Sequence, residues 1–271
     1  MGDNSGHDHE YIARQIRRTI LDIINRTRSP NIGSSLSAVE ILVSLYFSTL
    51  NTSPGATDDP GRDRFILSKG HACSGLYAVL AERGYFAEED LLSFAVDGGI
   101  FEQHPNMDIN RGIEVSTGSL GHGLSIGAGM ALAARIDNRE YSVYVLLSDG
   151  ELNEGSVWEA AMFASHHKLT NLVAMVDANG MQALGHTSEI IDLNPISNKW
   201  EAFGWHTQEI DGHDFGQINA SFAALSAEKP NAIVLNTVKG KGVSFMEDNL
   251  LWHYRSPDDQ EYELALKELS E

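Results

Sequence analysis

The chain reads as an α/β protein with a mostly parallel central sheet flanked by helices. Two observations predict this. The apolar runs YSVYVLLS (141–148), NLVAMVDA (171–178) and NAIVLNT (231–237) have the length and β-branched content of buried strands. Between them lie segments with helical spacing, and strands joined by such crossovers pair in parallel with both faces covered. No internal repeat, low-complexity block or composition shift divides the chain. Residues 1–271 are therefore expected to form one domain, with a flexible tail over 1–9 and an irregular C-terminal extension over 239–271.

Taken in order, residues 10–28 place Ile12, Ile16, Ile20, Ile23 and Ile24 on one helical face. Ser37, with Glu40 three residues on, marks the start of a helix over 37–49. Residues 51–64 are rich in turn formers and form a loop. A short strand (65–68) and helices near 72–83 and 88–96 follow, then a loop over 97–112. An extended piece, IEVST (113–117), leads through a glycine-rich turn into a helix over 122–136. Helix 154–168 separates the first two apolar strands. After the second come a helix near 195–203, strand 205–211, helix 215–228 and strand 231–237. A last short helix is expected near 258–269.

The chain has 271 residues, 42% hydrophobic and 21% charged, an ordinary globular composition with room for a sizeable core. Its net charge of −19 argues against nucleic acid or an anionic membrane as the main partner. An acidic protein that takes an anionic ligand must neutralise it locally, with a metal, helix N-termini or a few cations. No apolar run approaches the length of a bilayer span. The single cysteine, Cys73, allows no intrachain disulfide, and the N-terminus lacks the basic start and apolar core of a signal peptide. Both fit a cytoplasmic setting. His7 and His9 are read as part of a polar tail rather than a metal site.

In an open parallel sheet, ligands bind at the carboxyl ends of the strands. Strand 141–148 ends at Asp149 and Gly150, with Glu151, Asn153 and Glu154 in the turn that opens the next helix. Strand 171–178 ends at Asn179. If the two strands are neighbours, Asp149 and Asn179 converge. A carboxylate and an amide oxygen, completed by a backbone carbonyl, suit a hard divalent cation that prefers phosphate oxygens as its remaining ligands. Gly150 permits close approach of a diphosphate. The competing reading is that Asp149 and Asn179 merely cap turns.

The stretch TGSLGHGLSIGAG (117–129) fails the dinucleotide fingerprint, because Ile126 stands where the third glycine belongs. His71, His104 and His253 sit in loop-like contexts (SKGHA, EQHPN, LWHYR), where imidazoles can move protons or hold hydroxylated ligands. Spacing alone does not show that they meet. Cys73, His166 and His167 are read as having no catalytic part, and Trp158 and Phe163 as core.

At these residues the sequence resembles the N-terminal half of transketolase, and above all the separately encoded N-terminal subunits of split transketolases. The motifs are DRFILSKGHA (63–72), IEVSTGSLGHGLSIGAGMA (113–131), the block from Ser148 to Gly180, KWEAFGW (199–205), DGHD (211–214) and TVKGKGVSFMED (237–248). Within that block, an Asp-Gly pair is followed about 30 residues later by Asn, as in the thiamine-diphosphate signature. The resemblance implies a thiamine-diphosphate-binding domain. It implies that Asp149, Asn179 and the Met181 carbonyl hold Mg²⁺ (or Ca²⁺), and that Gly150 and Asn179 contact the diphosphate. It implies that Gly118, Ser119 and Leu120 line the ring side of the cofactor, and that His71 and His253 reach cofactor and substrate. His104 would touch substrate hydroxyls, and Glu154 would join a relay between two active sites. Glu151, in the same turn, is grouped with the cofactor-binding residues.

The implied activity is transfer of a two-carbon ketol unit from a ketose or ketose phosphate to an aldose. The pyrimidine-binding half of full-length transketolases is missing, which implies an α2β2 assembly with a C-terminal partner subunit. The sequence departs from the family at SPNIG (29–33), where Asn31 stands at a usual substrate-contacting histidine, and at Ser148, His122 and Tyr254. An amide can hydrogen-bond but cannot shuttle a proton near neutral pH. A 1-deoxyxylulose-phosphate-synthase-like or acyloin-forming transferase, and a non-catalytic scaffold, are the alternatives.

Overall fold

The computed structural model describes residues 9–270. Elements in chain order are α1 (His9–Thr27), α2 (Ile32–Leu36), α3 (Val39–Ser44), β1 (Arg64–Leu67), α4 (Cys73–Glu82) and α5 (Gly123–Ile136). They continue with β2 (Val143–Ser148), α6 (Gly155–His166), β3 (Leu172–Ala178), β4 (Met181–Gln182), β5 (Gly185–His186) and α7 (Thr187–Ile190). The last are α8 (Ile196–Ala202), β6 (His206–Asp211), α9 (Phe215–Ala223), β7 (Asn231–Asn236) and α10 (Asp259–Glu268).

Five strands form one sheet in the order β1-β2-β3-β7-β6, every pairing parallel. Successive side chains on a strand point to opposite faces, and the core divides accordingly. Phe65, Leu67, Tyr144, Leu146, Val173, Met175, Ile233 and Leu235 pack with the isoleucines of α1 and with α3 and α4. Ile66, Val143, Val145, Leu147, Ala174, Val176 and Val234 pack against α5, α6 and α8. The period-2 split explains why the central strands are apolar along most of their length, with polar residues at their ends: both faces are covered. Gly127 on α5 allows this approach, since a Cβ there would lie 2.6 Å from Val145.

The structure corrects several expectations. Residues 37–49 are not one capped helix. Two short helices, α2 and α3, are followed by a π-helical turn over Leu45–Thr49. Ser37 is no N-cap but the C-cap of α2; its hydroxyl donates to Asp177 at 2.6 Å, and Glu40 pairs with Arg17 and His213. Residues 88–93 form only a 3₁₀ turn, and 113–117 contribute a single antiparallel bridge, Asp108 to Ile113. His9 opens α1, its ring packed on Phe215, while His7 and most of the expected tail lie outside the described residues. The hairpin β4–β5 was not anticipated.

The segment after 239 is less irregular than expected. Val243, Met246, Trp252, Ala265 and Leu269 join the first core. α10 starts at a capping box formed by Asp258 and Glu261. Phe163 is 40% exposed, because α6 buries Val157, Ala160, Ala161 and Ala164 instead. Trp158 does pack inside, stacked on Phe203.

Candidate active site

Because all five strands run the same way, their carboxyl ends share one edge. β2 and β3 are neighbours with Ser148 opposite Asp177, so the residues after them, Asp149 and Asn179, meet as the strand-end argument required. The Gly180 N–H donates to Asp149 at 2.7 Å, and Gly150 N–H donates to the other Asp149 oxygen at 2.8 Å. Asp149 therefore caps its turn and also binds the loop after β3.

A cavity of about 350 Å³ opens at this edge. Of the residues expected there, His71, Gly118, Leu120, Gly150, Glu154, Asn179, Met181 and His253 line it, whereas Asp149, 3% exposed, lies behind this lining and borders a separate cavity of about 180 Å³. His71 and His253 meet edge to face with ring centroids 5.8 Å apart. His104 lies just outside the lining and packs on Gly118, where a Cβ would come within 2.8 Å of its ring; with φ at +144°, Gly118 has two reasons to be glycine. Ser119 is exposed and does not line the cavity. Glu151 is fully buried behind it, accepting from the Ser68 hydroxyl and from Gly121 N–H at 2.8 Å, so its carboxylate braces the turn rather than facing the cavity.

Sequence reasoning missed the cations. Lys69, following β1, is fully buried against Asp177 and donates to the Ser34 carbonyl at 3.0 Å. Thr237 and Ser37 donate to the same Asp177 carboxylate. Burial raises the Asp177 pKa, but Lys69 and these donors outweigh it and hold the carboxyl below its ordinary value. Lys239, 2% exposed, also lines the cavity, with its ammonium 3.4 Å from His253 Nδ1. Burial, then the nearby Lys69 charge, lower its pKa to about 8. The signal available was position: each lysine lies within a few residues of a strand end, in SKGHA and in TVKGKG.

The histidines answer to the same field. Burial, then the Lys69 charge, lower His71 to about 3, and burial and Lys239 lower His253 to about 4. Both rings are neutral near pH 7 and serve as hydrogen-bonding groups rather than standing charges. Asp149 moves the other way: burial, then the Asp177 charge, raise it to about 7. A bound cation would hold this carboxylate ionised. Each of its oxygens gives one lone pair to a backbone N–H and keeps another for a metal. The Asn179 side-chain oxygen accepts from Met181 N–H at 3.1 Å and also retains a lone pair. Among the described residues no group of three or more His, Cys, Asp or Glu can hold a metal, so a cation here must draw on amide and carbonyl oxygens as well. Gly150 keeps the cradle open, since a Cβ would meet Gln182 at 2.8 Å. A carboxylate in need of a cation, beside two buried ammonium groups, fits a metal-bound diphosphate.

Asn31 lines the cavity with φ at +69°, a left-handed conformation that Asn tolerates better than most residues. Its N–H donates to the His253 carbonyl at 3.1 Å. Cys73 is buried with its thiol directed at the Gln103 carbonyl, and burial pushes its pKa well up, which suits a structural residue.

Comparison with known proteins agrees with this geometry. Residues 8–266 match the transketolase thiamine diphosphate binding domain. The chain is 40% identical to an apulose-4-phosphate transketolase subunit of Phocaeicola vulgatus, over 94% of this chain and 91% of that protein. It is 42% identical to a 6-deoxy-6-sulfo-D-fructose transketolase subunit of Clostridium sp. strain MSTE9, over 97% and 96%. A transketolase from Pichia stipitis in complex with sedoheptulose 7-phosphate superposes with a TM-score of 0.91 at 28% identity, covering 97% of this chain and 40% of that one. The chain belongs to the transketolase family of transferases, as an N-terminal subunit built on the thiamine-diphosphate-binding domain.

Proposed function

We propose that this chain, acting as one diphosphate-binding domain over 1–271, is half of a cytoplasmic transketolase. It would transfer a two-carbon ketol unit from a ketose or ketose phosphate to an aldose, together with a separate C-terminal subunit in an α2β2 assembly. The observation that carries the reading is the cavity itself, where Asn179, Gly150, His71 and His253 converge beside Lys69 and Lys239. Relatives of matching length that are named as subunits support the partner.

Asp149, the Asn179 side chain and the Met181 carbonyl would hold Mg²⁺ or Ca²⁺, and Gly150 and the two lysines would receive the diphosphate. When bound, thiamine diphosphate supplies the electron sink that makes cleavage of the carbon–carbon bond beside a ketone accessible. The protein's own part is orientation and proton handling. His71 and His253, neutral and in contact, would orient hydroxyls and pass protons at the cavity floor, with His104 at the rim. Asn31 holds a hydroxyl without exchanging its proton. That feature, and relatives named for apulose 4-phosphate and sulfofructose, favour a specialised sugar as donor.

The test is to assay the two-subunit complex with Mg²⁺ and cofactor against ketose phosphates, free ketoses and pyruvate. Ketol transfer without release of CO₂ is expected. Decarboxylation of pyruvate would move the chain to the 2-oxo-acid class, and failure to bind the cofactor would leave only a scaffold.

A further inference from the structure

DGHD (211–214) belongs to the motifs of the family resemblance, yet none of its residues lines the cavity. His213, just past β6, connects two distant parts of the chain. Its Nε2 lies 2.8 Å from Val238 N. The amide can only donate, so Nε2 accepts and the ring's own proton sits on Nδ1, directed at Glu40 Oε2 at 3.0 Å. The other Glu40 oxygen accepts from Arg17 at 2.6 Å, and Arg17 Nε donates to the Lys241 carbonyl at 2.9 Å. Arg17 and Glu40 are each 5% exposed. Gly242, at φ +95°, lies against Arg17, where a Cβ would come within 2.7 Å of Nε.

One buried carboxylate on α3 thus fixes two side chains, and these hold opposite ends of the segment 238–241. Its middle is fixed by Gly240 N–H, which donates to the Gly33 carbonyl at 3.0 Å. Lys239 projects from this three-point mount into the cavity. An ammonium on a flexible four-carbon stem positions charge only as well as its backbone is held.

We propose that His213, backed by Glu40 and Arg17, is a positioning residue that mounts Val238–Lys241 so that the Lys239 ammonium meets the cofactor's diphosphate. The inference rests on the thiamine-diphosphate reading above. Loss of the ring would leave the Val238 N–H without its acceptor and free the segment at one end. A glutamine at 213 can return a carbonyl oxygen to the place of Nε2. An asparagine is too short and keeps only the group that faces Glu40.

The experiment titrates thiamine diphosphate into the assembled two-subunit complex at saturating Mg²⁺, by calorimetry, for the unmodified protein and for His213→Phe, His213→Gln and His213→Asn. Melting curves identify the variants that fold. His213→Phe and His213→Asn are expected to raise the Kd about tenfold or more, and His213→Gln to return it to within about threefold. A role confined to stability would lower the melting temperature while leaving the Kd of folded protein unchanged. Should His213→Phe fail to fold, the Gln and Asn pair makes the same comparison. Equal Kd values across the folded variants, beside normal binding by the unmodified complex, would overturn this inference alone. No binding by the unmodified complex would overturn the reading beneath it, and the inference with it.

Discussion

Strand β1 carries a buried ion pair at each end. At its amino end Arg62 forks onto Glu114 through both terminal nitrogens, while its Nε donates to the Thr57 carbonyl at 2.7 Å. The space beside this pair, about 10 Å³, has room for one water at most. At the carboxyl end Lys69 meets Asp177, buried more completely still, but the neighbouring space is about 350 Å³ and a second ammonium, Lys239, faces it. The first network is closed: Glu114 faces Arg62 and, at 3.9 Å, Arg64, whose guanidinium is in turn met by the Arg62 and Pro60 carbonyls and the Tyr141 ring, so every cation is satisfied inside the protein. The second is left with positive charge directed into a cavity. Burying a charge is costly unless it is paired, so an ion pair that satisfies itself reads as structure, whereas one with a surplus at a cavity reads as a site.

This contrast can be broken by mutation. The largest effect is expected from Asp149→Ala, which removes the one carboxylate proposed to hold the metal. Cofactor binding by the complex, followed by calorimetry, should weaken by about 100-fold in the protein that remains folded, and the melting temperature should also fall, because the Gly150 and Gly180 N–H groups lose their acceptor. Next, the paired replacement Lys69→Met with Asp177→Leu should abolish cofactor binding. Arg62→Met with Glu114→Leu should leave it within about threefold, because exchanging a closed ion pair for apolar residues is often close to neutral. Equal loss at both ends would erase the distinction. Removing one partner alone, as in Glu114→Ala, should cost about 3–5 kcal/mol of stability in a denaturant titration.

A smaller effect, read by pH, tests a third buried ion network, the one around Glu40. Burial raises the Glu40 pKa, but His213 and Arg17 outweigh it and hold the folded value below 4.5. A carboxyl depressed on folding contributes stability that is fully present above its unfolded pKa and lost as pH falls through the folded one. The melting temperature should therefore drop below about pH 4.5, and the drop should be shallower in Glu40→Gln. The smallest signal is an absence. With pKa values of about 3 and 4, His71 and His253 should show no full imidazole protonation step in an NMR titration from pH 8 to pH 6.

The sheet and half of the site were legible because their signals are local. Asp149 and Asn179 could be placed together since each ends an apolar run, and parallel neighbours bring such ends to one edge. Ser37 was misread for the same reason. Ser-x-x-Glu is a local capping pattern, but the hydroxyl is claimed by Asp177, 140 residues away. Lys69 and Lys239 showed only their position just after a strand end, because what marks a buried lysine as functional is its distant partners. Glu151 sat in the correct turn, yet which way its carboxylate points depends on Ser68 and Gly121, contributed by two other segments.

The central claim is that this chain holds a cofactor site which only a second polypeptide completes. The direct measurement is ketol-transfer turnover, with thiamine diphosphate and Mg²⁺, for this chain alone, for the complementary C-terminal chain alone, and for the two mixed. Turnover in the mixture only, saturating at equal amounts of the two chains, is the predicted result. Turnover by this chain alone would contradict it.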